Sequence, residues 1–145
     1  ANTRERGFLD FGKNTKTLKY ISPAEKGCVS EKEHTLELHD GLMELTNDTF
    51  GCDTYIFENG QVKKITLMDK QKAPYLSLEF SSPLVAVWSP SAAHPDVPFV
   101  CIEPWYGRCD KVGYHGEFKD REWMQHVEPG KSFEVGYSII LEDVK

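Results

Sequence analysis

The chain has 145 residues, enough for one domain with its own core, and its 39% hydrophobic and 28% charged residues are ordinary for a globular protein. The formal net charge of −6 argues against a nucleic-acid backbone as partner, because binders of that kind carry a basic face. No apolar run approaches the roughly 18 residues that a membrane-crossing helix needs, so no membrane partner is expected.

The opening, ANTRERGFLDFGKNTK, is polar and basic, lacks the pattern of a signal peptide and shows no clear element. It begins with Ala1 rather than Met, which leads us to expect a processed chain, a tag remnant or a fragment of something longer. After it the dominant period is two. TLKYI (17–21), TLELHD (35–40), TYIFE (54–58), VKKITLM (62–68) and YLSLEF (75–80) read as strands, as do LVAVW (84–88), FVCIE (99–103), EWMQHV (122–127) and SFEVGYSIIL (132–141). One helical turn, capped by Thr46 or Asn47, is expected over residues 46–51, and no longer helix. Asn59-Gly60 is the strongest hairpin signal, because a type I′ turn wants positive φ at both positions. Glu128-Pro129-Gly130-Lys131 reads as a second turn. Residues 89–98 hold three prolines and read as a connection, and residues 107–120 form a long loop with Gly107, Gly113 and Gly116. Many short strands at even spacing predict an all-β, antiparallel β-sandwich, with residues 1–145 as one domain.

Cys28, Cys52, Cys101 and Cys109 form no C-x-x-C pair. Zinc would need tighter paired spacing, so no metal is expected; free thiols in a reducing cytoplasm, acting as small buried residues, are. No cofactor is expected either.

The chemistry centres on PFVCIEPWYGRCD, residues 98–110. Alternation puts Phe99, Cys101 and Glu103 on one face of their strand and Val100 and Ile102 on the other. Pro104 keeps Glu103 extended and is expected to stop the ladder there. A carboxylate aimed rigidly from a strand end, beside an aromatic, is suited to accept a proton. Trp88 and Trp105 offer flat apolar faces of the kind that pack on a pyranose. Asp53 either binds a sugar hydroxyl or caps its own turn. His34 and His39 read as surface residues and His126 as structural. His94 and His115 lie in loops flanking the Glu103 segment.

LVAVWSPSAAHPDVPFVCIEPWYGRCD, followed by GEFKDREWMQHVEPGKSFEVGYSIIL, resembles the closing part of the aldose 1-epimerase, or galactose mutarotase, family, most nearly its bacterial galactose mutarotase-related (LacX-like) branch. Upstream, LMELTNDTFGCDTYIFENGQVKKITL is similar to a family segment with Phe, Asp and strand–hairpin–strand. The resemblance runs from about residue 36 onward, and Ile-Glu-Pro-Trp is its most specific block. It implies that the chain is part of a galactose mutarotase-like supersandwich. It implies Glu103 as the general base that takes the anomeric proton, Asp53 as a contact to sugar hydroxyls, and Trp88 and Trp105 as aromatics near the site. The family's acid histidine, in a His-Pro motif upstream, has no match: His94-Pro95 is followed by Asp96 and stands in the wrong order. The family's sugar-binding arginine and other N-terminal groups are missing too.

The expected function is therefore that of an aldose 1-epimerase-like isomerase segment, inactive or weakly active alone, whose partner is an aldose (hexose). Arg108, Lys111 and Lys119 leave a hexose phosphate open. Self-association, or pairing with a missing N-terminal segment, is also expected. The alternative is a non-catalytic carbohydrate-binding β-sandwich module, which would keep Trp88, Trp105 and Asp53 but need no base.

Overall fold

The computed structural model describes residues 7–97 and 99–143. Among them are ten strands, no α-helix, and three single-turn 3₁₀ helices at Glu25–Gly27, Pro90–Ala92 and Phe118–Asp120. The strands are β1 (Phe8–Asp10), β2 (Thr17–Tyr20), β3 (His34–Glu37), β4 (Leu42–Glu44), β5 (Tyr55–Phe57), β6 (Lys64–Met68), β7 (Pro74–Phe80), β8 (Leu84–Trp88), β9 (Cys101–Trp105) and β10 (Tyr137–Leu141). They form a five-stranded sheet in the order β10-β7-β6-β1-β4, a three-stranded sheet β5-β8-β9 and the pair β2-β3. Every strand pairing is antiparallel. An antiparallel bridge from Ile21 to Ile56 attaches the β2-β3 pair to β5.

The period-two patterns build the sandwich. Leu9, Met43, Ile65, Leu78 and Phe80 of the larger sheet meet Tyr55, Phe57, Val85 and Val87 of the smaller one in a single buried cluster. Phe57 is 1% exposed, so its truncation to alanine would cost about 3–5 kcal/mol. Val100 and Ile102 pack against this cluster, as the alternation along their strand predicts.

Several sequence expectations are corrected. Phe8–Asp10 forms a strand where no clear element was expected, and β4 was not expected either; residues 1–6 lie outside the described residues. Residues 46–51 form turns, not a helical turn, because the hydroxyls of Thr46 and Thr49 bond each other and the local backbone instead. Asn59 and Gly60 both have φ of 61°, as a type I′ turn requires, yet they join β5 to β6 in the other sheet and close no hairpin. Pro104 does not end the ladder: β9 runs through it, with Pro104 facing Val85. Among the described residues β9 is an edge strand, where a missing N–H is tolerated. Residues 122–127 are not a strand, and of 132–141 only Tyr137–Leu141 pairs, against β7. The Glu128–Lys131 turn forms as expected, with Gly130 at φ 75° and a bond from the Lys131 N–H to the Glu128 carbonyl.

Candidate active site

The smaller sheet buries one face in the main core and turns the other toward a separate cluster. Across the β8–β9 ladder Trp88 faces Cys101, Ala86 faces Glu103 and Leu84 faces Trp105. Alternate residues share a face, so these six lie together, opposite Val85, Val87 and Ile102. On the β5 side, Ile56 faces Ala86 and extends the same row. Ile21, Val29, Ile56, Leu84 and Ala86 are buried on this face, with Trp105 and Trp123 partly buried against them. Glu103 therefore stands over a dry floor whose nearest cross-strand residue is the small, wholly buried Ala86.

Glu103 is partly buried. The Trp105 indole Nε1–H donates to its Oε2 at 3.2 Å. Among the described residues Glu103 forms no ion pair, and its Oε1 has no hydrogen-bond partner. Its charge is felt two residues back, where burial, and then the nearby carboxylate, push the Cys101 thiol up from its ordinary range. Trp88 packs on Phe99 with ring centroids 6.0 Å apart. Asp53 is exposed, at φ 73°, just before β5. Tyr55 faces Val87, so Asp53 lies at the end of the sheet where Trp88 closes β8. Its carboxylate accepts the neighbouring Thr54 hydroxyl at 2.7 Å.

A second carboxylate follows β5 at the opposite end. Glu58 comes after Phe57, which faces Val85, and so sits toward Leu84 and Trp105. It is tied to a cation, as Glu103 is not among the described residues. Arg108, whose side chain is 1% exposed, bonds Glu58 through Nε and Glu122 through Nη2. The Trp123 indole donates to Glu58 at 3.1 Å, and Lys111 Nζ reaches Glu122 at 3.1 Å. Burial lowers the Arg108 pKa, but the bonds to Glu58 and Glu122 outweigh it and hold it raised. Glu122 is held below the usual carboxylate range chiefly by its bond to Arg108, against a smaller opposing effect of burial and with help from Lys111. Arg121 closes the loop onto Asp110 at 2.7 Å.

Arg108 and Lys111, two of the three cations expected near the site, are thus committed to carboxylates; Lys119 is exposed. His94 and His115 are exposed, and no described histidine hydrogen-bonds Glu103. His126, expected to be structural, is exposed and pairs with Glu128 at 2.9 Å, because residues 122–127 form no buried strand. All four cysteines are free, but none is fully buried as expected; Cys109 is exposed. Among the described residues no group of three or more His, Cys, Asp or Glu is placed to hold a metal ion. No helix there is long and apolar enough to cross a membrane.

Two solved structures match this architecture. A galactose mutarotase-related enzyme from Lactobacillus acidophilus superposes with a TM-score of 0.79 at 26% identity, over 97% of this chain and 46% of its own. A galactose mutarotase-like protein from Lactobacillus casei ATCC 334 gives 0.70 at 18% identity, over 94% of this chain and 45% of its own. The chain has a galactose mutarotase-like fold. It spans slightly under half the length of each of these two proteins. No protein-family model matches it, and no curated protein matches it in sequence.

The structure of this mutarotase-like chain brings Glu103, Trp105 and Trp88 to one face of one sheet, and sets Asp53 at that sheet's Trp88 end. Glu58 and Trp123 were missed. Each stood inside a run that read as an ordinary strand, and nothing local links Glu58 to Arg108 fifty residues later.

Proposed function

We propose that the chain is the base-bearing portion of an aldose 1-epimerase-like isomerase and that residues 1–145 act as one domain, the C-terminal portion of a longer fold. Glu103 takes the proton of the anomeric hydroxyl, the ring opens, the C1 carbonyl turns, and the ring closes as the other anomer. Protonation of the ring oxygen falls to an acid outside this chain. Trp88 and Trp105 flank the sugar and Asp53 takes a hydroxyl. The observation that carries this reading is the state of Glu103: a partly buried carboxylate on an aromatic-lined face, unpaired with any cation among the described residues and with Oε1 unbonded. Glu58, on the same sheet, is neutralised by Arg108 and is not the base. The commitment of Arg108 and Lys111 to Glu122 favours a neutral aldose over a hexose phosphate. The cytoplasm is the proposed compartment.

The C-terminal strand supports the divided fold. Tyr137, Ile139 and Leu141 alternate along it and are 60–80% exposed. Tyr137 and Ile139 face Phe80 and Leu78 across the ladder, so this apolar face continues the core side of the sheet with nothing described above it. Strands of the rest of such a fold would cover it; alone, the chain should self-associate through it.

Polarimetric relaxation of α-galactose or α-glucose tests the reading. The 145-residue chain should leave the spontaneous rate unchanged, while a longer protein that contains it should accelerate exchange. Trp105→Ala in that protein should weaken sugar binding. Full catalysis by the short chain would place the acid within these residues and overturn the divided site. Undiminished sugar affinity of the short chain, with no exchange by the longer form, would favour a carbohydrate-binding module.

A further inference from the structure

We propose that Trp105 is a positioning residue: its indole N–H holds Glu103 Oε2 and so presents Oε1 as the proton-accepting atom, with Trp123 braced against the same buried cluster. The word proton-accepting rests on the function proposed above; the arrangement itself does not. Glu103 lies on an edge strand among the described residues, opposite an alanine. A glutamate there has three free side-chain torsions and no bulky neighbour across the ladder to fix them. Among the described residues the one polar contact that orients it is the Trp105 Nε1–H at 3.2 Å. A neutral donor suits this task. It fixes the carboxylate without the counter-charge that makes Glu58, bonded to Arg108, a structural group. Spent on Glu103, the same N–H is unavailable to a sugar hydroxyl, since an indole has only one donor.

The brace is visible in the backbone. Trp123 sits at φ 61°, a left-handed conformation that a bulky side chain adopts at a cost of about 1–3 kcal/mol. Such strain persists only where the surroundings over-determine it. Here the Trp123 indole is fixed by Glu58, which Arg108 holds in turn, and its carbonyl accepts from Gln125 Nε2 at 3.4 Å. Trp123 and Trp105 pack against the same buried cluster of Ile21, Val29, Ile56, Leu84 and Ala86. The Arg108 network and the base thereby share one aliphatic floor, and Arg108 makes no ion pair with Glu103.

The 145-residue chain, labelled with nitrogen-15, tests this without any substrate. It has three indole cross-peaks, from Trp88, Trp105 and Trp123. The Trp105 peak should shift downfield in one step as Glu103 loses its proton. That step should vanish in Glu103→Gln, while the Trp123 peak keeps its own response to Glu58. In Trp105→Phe, which keeps a ring but removes the donor, the two γ-protons of Glu103 should merge into one averaged signal. A Trp105 peak that follows the same pH course in Glu103→Gln overturns the proposal. So do γ-protons that stay distinct in a folded Trp105→Phe chain. If that variant does not fold, the comparison with Glu103→Gln decides alone. Neither signal depends on turnover, so a longer protein that fails to exchange anomers would sink the function proposed above and leave this arrangement intact.

Discussion

One sheet face holds two carboxylates in opposite states. At one end Glu58 takes Arg108, whose side chain is 1% exposed, and the Trp123 indole. Further along, Glu103 takes only the Trp105 indole among the described residues. Both are glutamates next to tryptophan N–H groups, on a floor of the same buried aliphatic residues. The difference is a cation. A buried arginine fixes a carboxylate as an anion and consumes its lone pairs, which makes structure; a neutral donor leaves an oxygen open, which permits chemistry. Identity and exposure would not separate the two residues; their partners do.

The largest effect should come from removing that cation. Arg108→Ala leaves Glu58 without its charge partner on a dry face, and breaking a pair of this kind costs about 3–5 kcal/mol. Glu103→Gln keeps an acceptor for the Trp105 indole and should cost less than about 1 kcal/mol. Urea unfolding of the two variants measures the contrast, and equal losses would erase it. A smaller effect should appear at acid pH. Glu122 has a depressed folded value, so its contribution is present above the ordinary value of 4.5 and is lost as pH falls through the lower, folded one. Thermal unfolding from pH 6 down to pH 3 should therefore show a steeper fall for the unaltered chain than for Glu122→Gln. A parallel fall in both would mean that Arg108 does not hold Glu122 in solution. The smallest effect concerns Cys101. Its thiol is raised by burial and by the charge of Glu103, so Glu103→Gln should speed its alkylation at pH 8, by less than about tenfold. Exposed Cys109 should react first in both proteins, and an unchanged Cys101 rate would show that the two side chains do not feel each other.

Much of this was legible in the chain because it is local. Alternation marked β2, β3 and β5 to β8, and it put Cys101 and Glu103 on the face opposite Ile102. The Ile-Glu-Pro-Trp block led to a fold that two solved structures share. What failed was long-range. Asn59-Gly60 dictates a turn but not which sheet the next strand joins. Pro104 removes a donor, yet whether that matters depends on whether a strand lies beyond β9. Residues 122–127 alternate as a strand does, but among the described residues they have no ladder partner, and Trp123 turns left-handed to meet Glu58. Phe8–Asp10 and Leu42–Glu44 are too short to show a period, and pair only because the larger sheet offers them edges.

The central claim, that Glu103 does chemistry while Glu58 does structure, is tested most directly by a matched pair of variants. Glu103→Gln and Glu58→Gln would be made in a longer mutarotase-like protein that contains this chain, and anomer exchange followed by polarimetry at equal folded concentration. Glu103→Gln should fold normally and lose about 10²–10⁴-fold in kcat with little change in KM, the size of a general-base contribution. Glu58→Gln should melt earlier and keep its kcat within a few-fold. A Glu103→Gln protein that exchanges anomers as fast as the unaltered one, or a Glu58→Gln protein that stays fully stable but inactive, would contradict the account.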